Sequence, residues 1–307
     1  MRNHLINELT RLAETDQRIM LLIGDLGFHV VDEFARKFPD RYFNAGIAEQ
    51  NMTAVAAGLA LEGNVACTYS TGLFPTVRCL EQIRNSVCYH KANVKIIAVG
   101  CGFIYGPLGM SHHGTEDIAA MRSLPNLTIF SPADPDESVA VINEAIRTEG
   151  PCYIRLGRGG EPRIHPELHD LNVRKILEIR RGTDIAVIST GSVIFESIAA
   201  AKQLADEGSG IGVYNCITLK PIDAGGINAI ADSYRTIITL EEHNVIGGLG
   251  SAIADVIAAR DPSRPRPRLV KLGLQDEFTS IVGSNAYLRE HYGLSADRIV
   301  GTVKSLH

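Results

Sequence analysis

One carboxylate, Glu49, opens an apolar, small-residue stretch. The segment Asn44-Ala45-Gly46-Ile47-Ala48-Glu49-Gln50-Asn51-Met52 runs on into Ala54-Val55-Ala56-Ala57-Gly58-Leu59-Ala60-Leu61. Partial desolvation there is expected to raise the carboxyl pKa, so that the group holds or shares a proton near neutrality. The plainer alternative is a helix N-terminus, where an acid complements the helix dipole. Residues 109–117 are a glycine-flanked turn presenting two imidazoles, His112 and His113, just before a helix. An imidazole placed there suits proton transfer; the alternative is ordinary capping by Thr115 and Glu116. Adjacent histidines rarely converge on one metal without further ligands, so no metal site is expected. Arg78 and Arg158 carry planar guanidinium groups that suit a phosphate or carboxylate oxyanion, or a surface salt bridge. Phe74 offers a flat face to a heterocycle, or packs in the core.

These groups need a frame. Short apolar runs at residues 19–23, 65–69, 94–99, 127–130 and 152–156 read as strands. Helical patterns lie between them at 49–61, 76–90, 116–122 and 135–148. Near-continuous apolar strands separated by amphipathic helices predict a parallel sheet covered on both faces. Arg158 then closes the run 153–158 at the C-terminal end of a strand, the edge where open α/β sheets bind ligands. After residue 162 the chain turns polar, with Pro162 and Pro166. Alternation resumes with a strand at 184–189, a helix at 194–207, and strands at 211–215, 236–240 and 268–272. Gly247-Gly248-Leu249-Gly250 opens a further helix, and 261–268 reads as a surface loop. The expected fold is therefore α/β, with two doubly wound domains at 1–165 and 183–307 joined by a linker at 166–182.

Composition narrows the class. The chain has 307 residues, 45% of them apolar, with a net charge of −5. That is enough for two domains, and it argues against a nucleic-acid binder, which is usually basic. No apolar run reaches the roughly 20 residues that span a bilayer, and the start of the chain has no signal-peptide core. Six scattered cysteines form no Cys-x-x-Cys pair and fit a reducing compartment, so a cytoplasmic location is expected.

Gly46-Ile47-Ala48-Glu49-Gln50-Asn51-Met52 resembles the glutamate motif of transketolases and deoxyxylulose-phosphate synthases, which are thiamine diphosphate enzymes. The resemblance extends through Leu240-Glu241-Glu242-His243-Asn244 and the glycines after it, and so covers nearly the whole chain. It implies a pyrimidine-binding domain followed by a transketolase C-terminal domain. Glu49 then hydrogen-bonds the cofactor's aminopyrimidine, promoting loss of the thiazolium proton. The resulting carbanion attacks a ketose carbonyl. Phe74, Asp25, Leu26 and Ile47 are implied as cofactor neighbours, with Leu26 as the wedge that bends the cofactor. His112, His113, Arg78 and Arg158 are implied as substrate residues, the arginines holding a phosphate.

The sequence departs from the family pattern in several places. His113 replaces a glutamine, and Gly72 and Leu73 are inserted before Phe74. Val77 and Leu80 stand where aromatics are usual, Leu108 replaces an Asp, and Gly100-Cys101 replaces His-Asp. A pocket that has lost polar groups accepts different sugars. The family's Gly-Asp-Gly motif, which binds the diphosphate through Mg, has no counterpart; Gly24-Asp25-Leu26-Gly27 is the nearest sequence. The resemblance thus implies half an enzyme. A separate N-terminal partner carries the diphosphate domain and most of the Mg binding, in a heterotetramer acting on sugars or sugar phosphates. The alternatives are a deoxyxylulose-phosphate-synthase-like enzyme, the beta subunit of a 2-oxo-acid dehydrogenase, or a non-catalytic scaffold that kept the fold.

Overall fold

The computed structural model describes residues 1–157, 159–164 and 171–306. Its twelve strands are β1 Ile19–Ile23, β2 Tyr42–Asn44, β3 Val65–Thr71, β4 Val94–Val99, β5 Thr128–Phe130, β6 Cys152–Leu156, β7 Leu177–Arg180, β8 Ile185–Ser189, β9 Gly212–Asn215, β10 Thr218–Lys220, β11 Thr236–Asn244 and β12 Arg268–Leu274. They form a seven-stranded sheet in the order β10-β5-β6-β4-β3-β1-β2 and a five-stranded sheet in the order β12-β11-β8-β9-β7. β1 to β6 run parallel, as do β8, β9, β11 and β12. Only the edge strands β7 and β10 are antiparallel.

Strand burial explains the pattern. β4 and β6 are buried along their whole length, as continuous apolar runs require when helices cover both faces. Lys95, the polar exception in β4, gives its ammonium to Thr148 O and Gly150 O, both at 2.7 Å. On one face, Leu21, Ile23, Cys67 and Ile97 pack with the helices Arg2–Thr15 and Pro135–Arg147. On the other, Leu22, Ala66, Ile96 and Ala98 meet the helix Glu49–Leu61. That helix buries Glu49, Met52, Thr53, Ala56, Ala57 and Ala60, spaced as one helical face, and its alanines let it sit close to the sheet. The same core runs on without a break to Ile188, Ile227 and Ile253 around the second sheet.

The structure departs from the sequence reading in three places. The expected linker at 166–182 contains β7, which pairs with β9 at the edge of the second sheet. β10 leaves the second half of the chain and pairs with β5, completing the first sheet. The expected helix at 76–90 is a 3-10 turn, a short α turn and a π-helical stretch, Ile83–Cys88. All six cysteines are buried and unpaired. Among the described residues no helix is long and apolar enough to cross a membrane.

Candidate active site

Loops leave the C-terminal edge of the first sheet, and every described site residue expected from the sequence sits on four of them or one step beyond. Residues 24–27 follow β1, 45–48 follow β2, 72–78 follow β3, 100–113 follow β4, and Arg158 comes two residues after β6. Arg158 itself lies outside the described residues. Successive loops of a parallel sheet converge there, so residues distant in sequence become neighbours.

Glu49 is the first residue of its helix, which meets the dipole argument. Its side chain nevertheless turns inward, and the residue is 2% exposed. Oε1 accepts a hydrogen bond from Ser70 Oγ at 3.0 Å, and Oε2 accepts one from Arg78 Nη1 at 3.0 Å. Gly24 permits this arrangement. A Cβ there would come 3.0 Å from Ser70 Oγ and 3.1 Å from Glu49 Oε1. Arg78 also lies over the Phe74 ring, 4.2 Å from its centroid. Phe74 in turn meets His112 edge to face, with centroids 5.2 Å apart. Glu49, Arg78, Phe74 and His112 therefore form one continuous row. Partial burial, and then the neighbouring His113, hold the His112 pKa below the ordinary imidazole value.

Asp25 adopts the left-handed conformation, φ 53°, which short polar residues tolerate. Asn44 holds it there: Nδ2 donates to Asp25 Oδ1 at 2.9 Å, and Oδ1 accepts from Asp25 N and Gly46 N. The loops after β1 and β2 are thus clipped together. Leu26 is partly buried against the core, whereas Ile47 is 79% exposed.

His113 turns inward from the same loop as His112. It is 1% exposed, and both ring nitrogens are taken, Nδ1 by Thr279 Oγ1 at 2.6 Å and Nε2 by the Gly106 carbonyl at 3.0 Å. A carbonyl only accepts, so Nε2 carries a proton and donates it to Gly106. The buried imidazole ties its loop to Thr279 and to Gly106 through both ring nitrogens.

The second domain builds the floor under this loop. Arg155 Nε donates to Asp117 Oδ2 at 2.8 Å, and its Nη2 reaches the carbonyls of Gly114 and Glu242. Burial pushes the Asp117 carboxyl up, but Arg155, His243 and Tyr153 outweigh it, and the net shift is downward. Glu242 pairs with Arg289 at 2.6 Å, and His243 Nε2 accepts from Ala119 N. Glu241 accepts from Leu249 N and Gly250 N, capping the next helix. The Glu-Glu-His stretch and its glycines are therefore seam and cap.

Sequence reasoning missed Ser70, Asn44 and Tyr105. A Cβ on Gly100 would lie 2.0 Å from the Tyr105 ring. That ring fills the space a larger residue would occupy and stands 6.4 Å, centroid to centroid, from His112. The unusual Gly100 was the available signal.

Two doubly wound sheets, with a buried carboxylate at the ligand edge of the first, define a two-domain α/β protein with a site at strand C-termini. Residues 1–161 match the family model described as transketolase, pyrimidine binding domain, and residues 174–299 match transketolase, C-terminal domain. The chain belongs to the transketolase family. One of the subunits of an apulose-4-phosphate transketolase from Actinobacillus succinogenes is 39% identical over 275 residues, 89% of this chain and 87% of that one. A solved structure described as a split gene transketolase, inactive beta4 tetramer, superposes with a TM-score of 0.88 at 38% identity, over 99% of this chain and 97% of the other. The 1-deoxy-D-xylulose-5-phosphate synthase of Desulforudis audaxviator is 35% identical over 302 residues, covering 97% of this chain and 46% of that protein.

Proposed function

We propose that this chain is the C-terminal subunit of a two-component transketolase, active only with a partner that brings the diphosphate- and Mg-binding domain. The observation that carries the reading is the Glu49 carboxylate, buried at the sheet's ligand edge beside Arg78, Phe74 and His112. The site fits thiamine diphosphate. It has a fixed acceptor for a ring nitrogen, an aromatic face for a flat heterocycle, and glycine at the close approach. When bound, the cofactor supplies the nucleophilic carbon that carries a two-carbon ketol unit from a ketose to an aldose.

This chain's residues hold and shuttle protons around that chemistry. Glu49 binds the pyrimidine nitrogen and sets the proton inventory of the ring. Phe74, Leu26 and Ile47 flank the cofactor, and Asp25 fixes the first loop. Neutral His112 takes and returns the proton of a sugar hydroxyl. Arg78 and Arg158 bind a substrate oxyanion. His113 holds the loop. Exposed apolar groups support the partner requirement. Phe28, Ile47, Leu108 and Met110 are 52% to 79% exposed and lie on the loops that carry the site, and Phe43, 40% exposed, lies on β2 beside them.

A second reading, a synthase-type condensation of a decarboxylated 2-oxo acid, draws support from Leu108, an apolar group on the substrate loop where the family carries an Asp. One set of experiments separates the two. Thiamine diphosphate with Mg is titrated calorimetrically into this chain alone, then into its complex with the partner. The complex is then assayed for ketol transfer and for carbon dioxide release from pyruvate. Binding only with the partner, and transfer without carbon dioxide release, is the expected result. Tight binding to the isolated chain refutes the split site, and carbon dioxide release selects the synthase.

A further inference from the structure

Arg78 is held by two contacts, and both are contacts a flat heterocycle would take. Nη1 donates to Glu49 Oε2, and the guanidinium carbon stands over the Phe74 ring, 4.2 Å from its centroid. A guanidinium is planar, has N–H donors in its plane and stacks on aromatic rings. An aminopyrimidine has the same three properties. The two groups cannot hold Glu49 Oε2 and one face of Phe74 together. We propose that Arg78 occupies the aminopyrimidine's place in the empty chain, and that the entering cofactor displaces it to the mouth, where it becomes the oxyanion-binding group. This rests on the thiamine diphosphate reading above.

The two partners differ in freedom. The Glu49 side chain is 1% exposed and the Arg78 side chain 44%. Glu49 is fixed from the other side by Ser70, in the space that Gly24 leaves for it. It stays, and the arginine can turn into water. The backbone does not have to follow. Arg78 N donates to Leu73 O, and Arg78 O accepts from Gln50 Nε2. Side-chain rotation alone makes the exchange. An arginine at this place also has a reason in the empty chain, because a buried carboxylate with no cation beside it is costly. A binding order follows. The oxyanion group is free only after the cofactor is in place, so a phosphorylated or otherwise anionic sugar binds second.

The test uses the cofactor-free complex of this chain with its partner. Thiamine diphosphate with Mg is titrated into the wild type and into Arg78→Met and Arg78→Gln. Inorganic phosphate is titrated into the empty and the loaded complexes. The expected result is cofactor binding about tenfold tighter in the variants, the effect of removing about 1.4 kcal/mol of competition. Phosphate should bind the loaded wild type more tightly than the empty wild type and more tightly than the loaded variants. Equal cofactor affinity in wild type and variants overturns the proposal. So does phosphate binding as tightly to the empty wild type as to the loaded one, an arm that needs no variant. If an assembled complex binds no cofactor in any form, the thiamine diphosphate reading falls, and this proposal with it.

Discussion

Glu49 is bonded on both oxygens before any ligand arrives, and that governs what its substitution should do. Gln keeps the size, can still accept from one donor, and loses the negative charge. Glu49→Gln is expected to lower ketol transfer by at least about 10²-fold, the usual scale for a proton-transfer group, while the complex still assembles. Steady-state rates and the mass of the variant complex check this together; unchanged turnover removes Glu49 from the mechanism. His112 sets a pH dependence. Its folded pKa lies below the ordinary value of about 6.5, so the ring is neutral at pH 7 and protonates only in more acid solution. The acid limb of kcat/KM that belongs to His112 should therefore fall below pH ~6.5 and vanish in His112→Asn. An acid limb above that value, or one that survives the substitution, assigns it to another group.

At the scale of elements, the ligand edge is set by strand ends and the substrate loop by its neighbours. The strands β1, β3, β4 and β6 were legible because each is a short, mainly apolar run, and the site loops follow from where those runs stop. The helix Glu49–Leu61 was legible to the residue. β2, β7 and β10, of three or four residues at or near sheet edges, have no such run to read. The side chains of His113 and Arg78 were not legible for a different reason. His113 is turned inward by Thr279, 166 residues away, and nothing local in the loop encodes that partner. The direction of Arg78 depends on Glu49 and Phe74 meeting at the sheet edge. The Arg155–Asp117 pair gives the element-scale prediction. Asp117→Asn leaves a buried guanidinium without its counter-charge and should cost about 3–5 kcal/mol of stability, read by chemical unfolding. Because the folded Asp117 pKa lies below the ordinary value of about 3.9, its stabilisation is complete above that pH. It is lost as pH falls through the lowered folded value. The variant should show a shallower loss of stability in that acid window; an unchanged slope would show that the pair does not drive it.

For the whole molecule, one hydrophobic cluster runs between the two sheets, and Arg155 and His113 tie the site loop to the C-terminal domain. A heterotetramer with two copies of each subunit is expected for the working enzyme. Native mass measurement on the reconstituted complex decides it, and a one-to-one heterodimer rejects it. The placement of β10 has a further consequence for modularity. The first sheet borrows its last strand, Thr218–Lys220, from beyond the connecting segment. The sequence boundary between the family's two domains is therefore not a boundary in space. Recombination that swaps C-terminal domains between relatives at that boundary also swaps a strand of the N-terminal sheet. Such chimeras should succeed only when the incoming segment matches the edge of β5, and a chain cut at the boundary would leave that edge open for self-association.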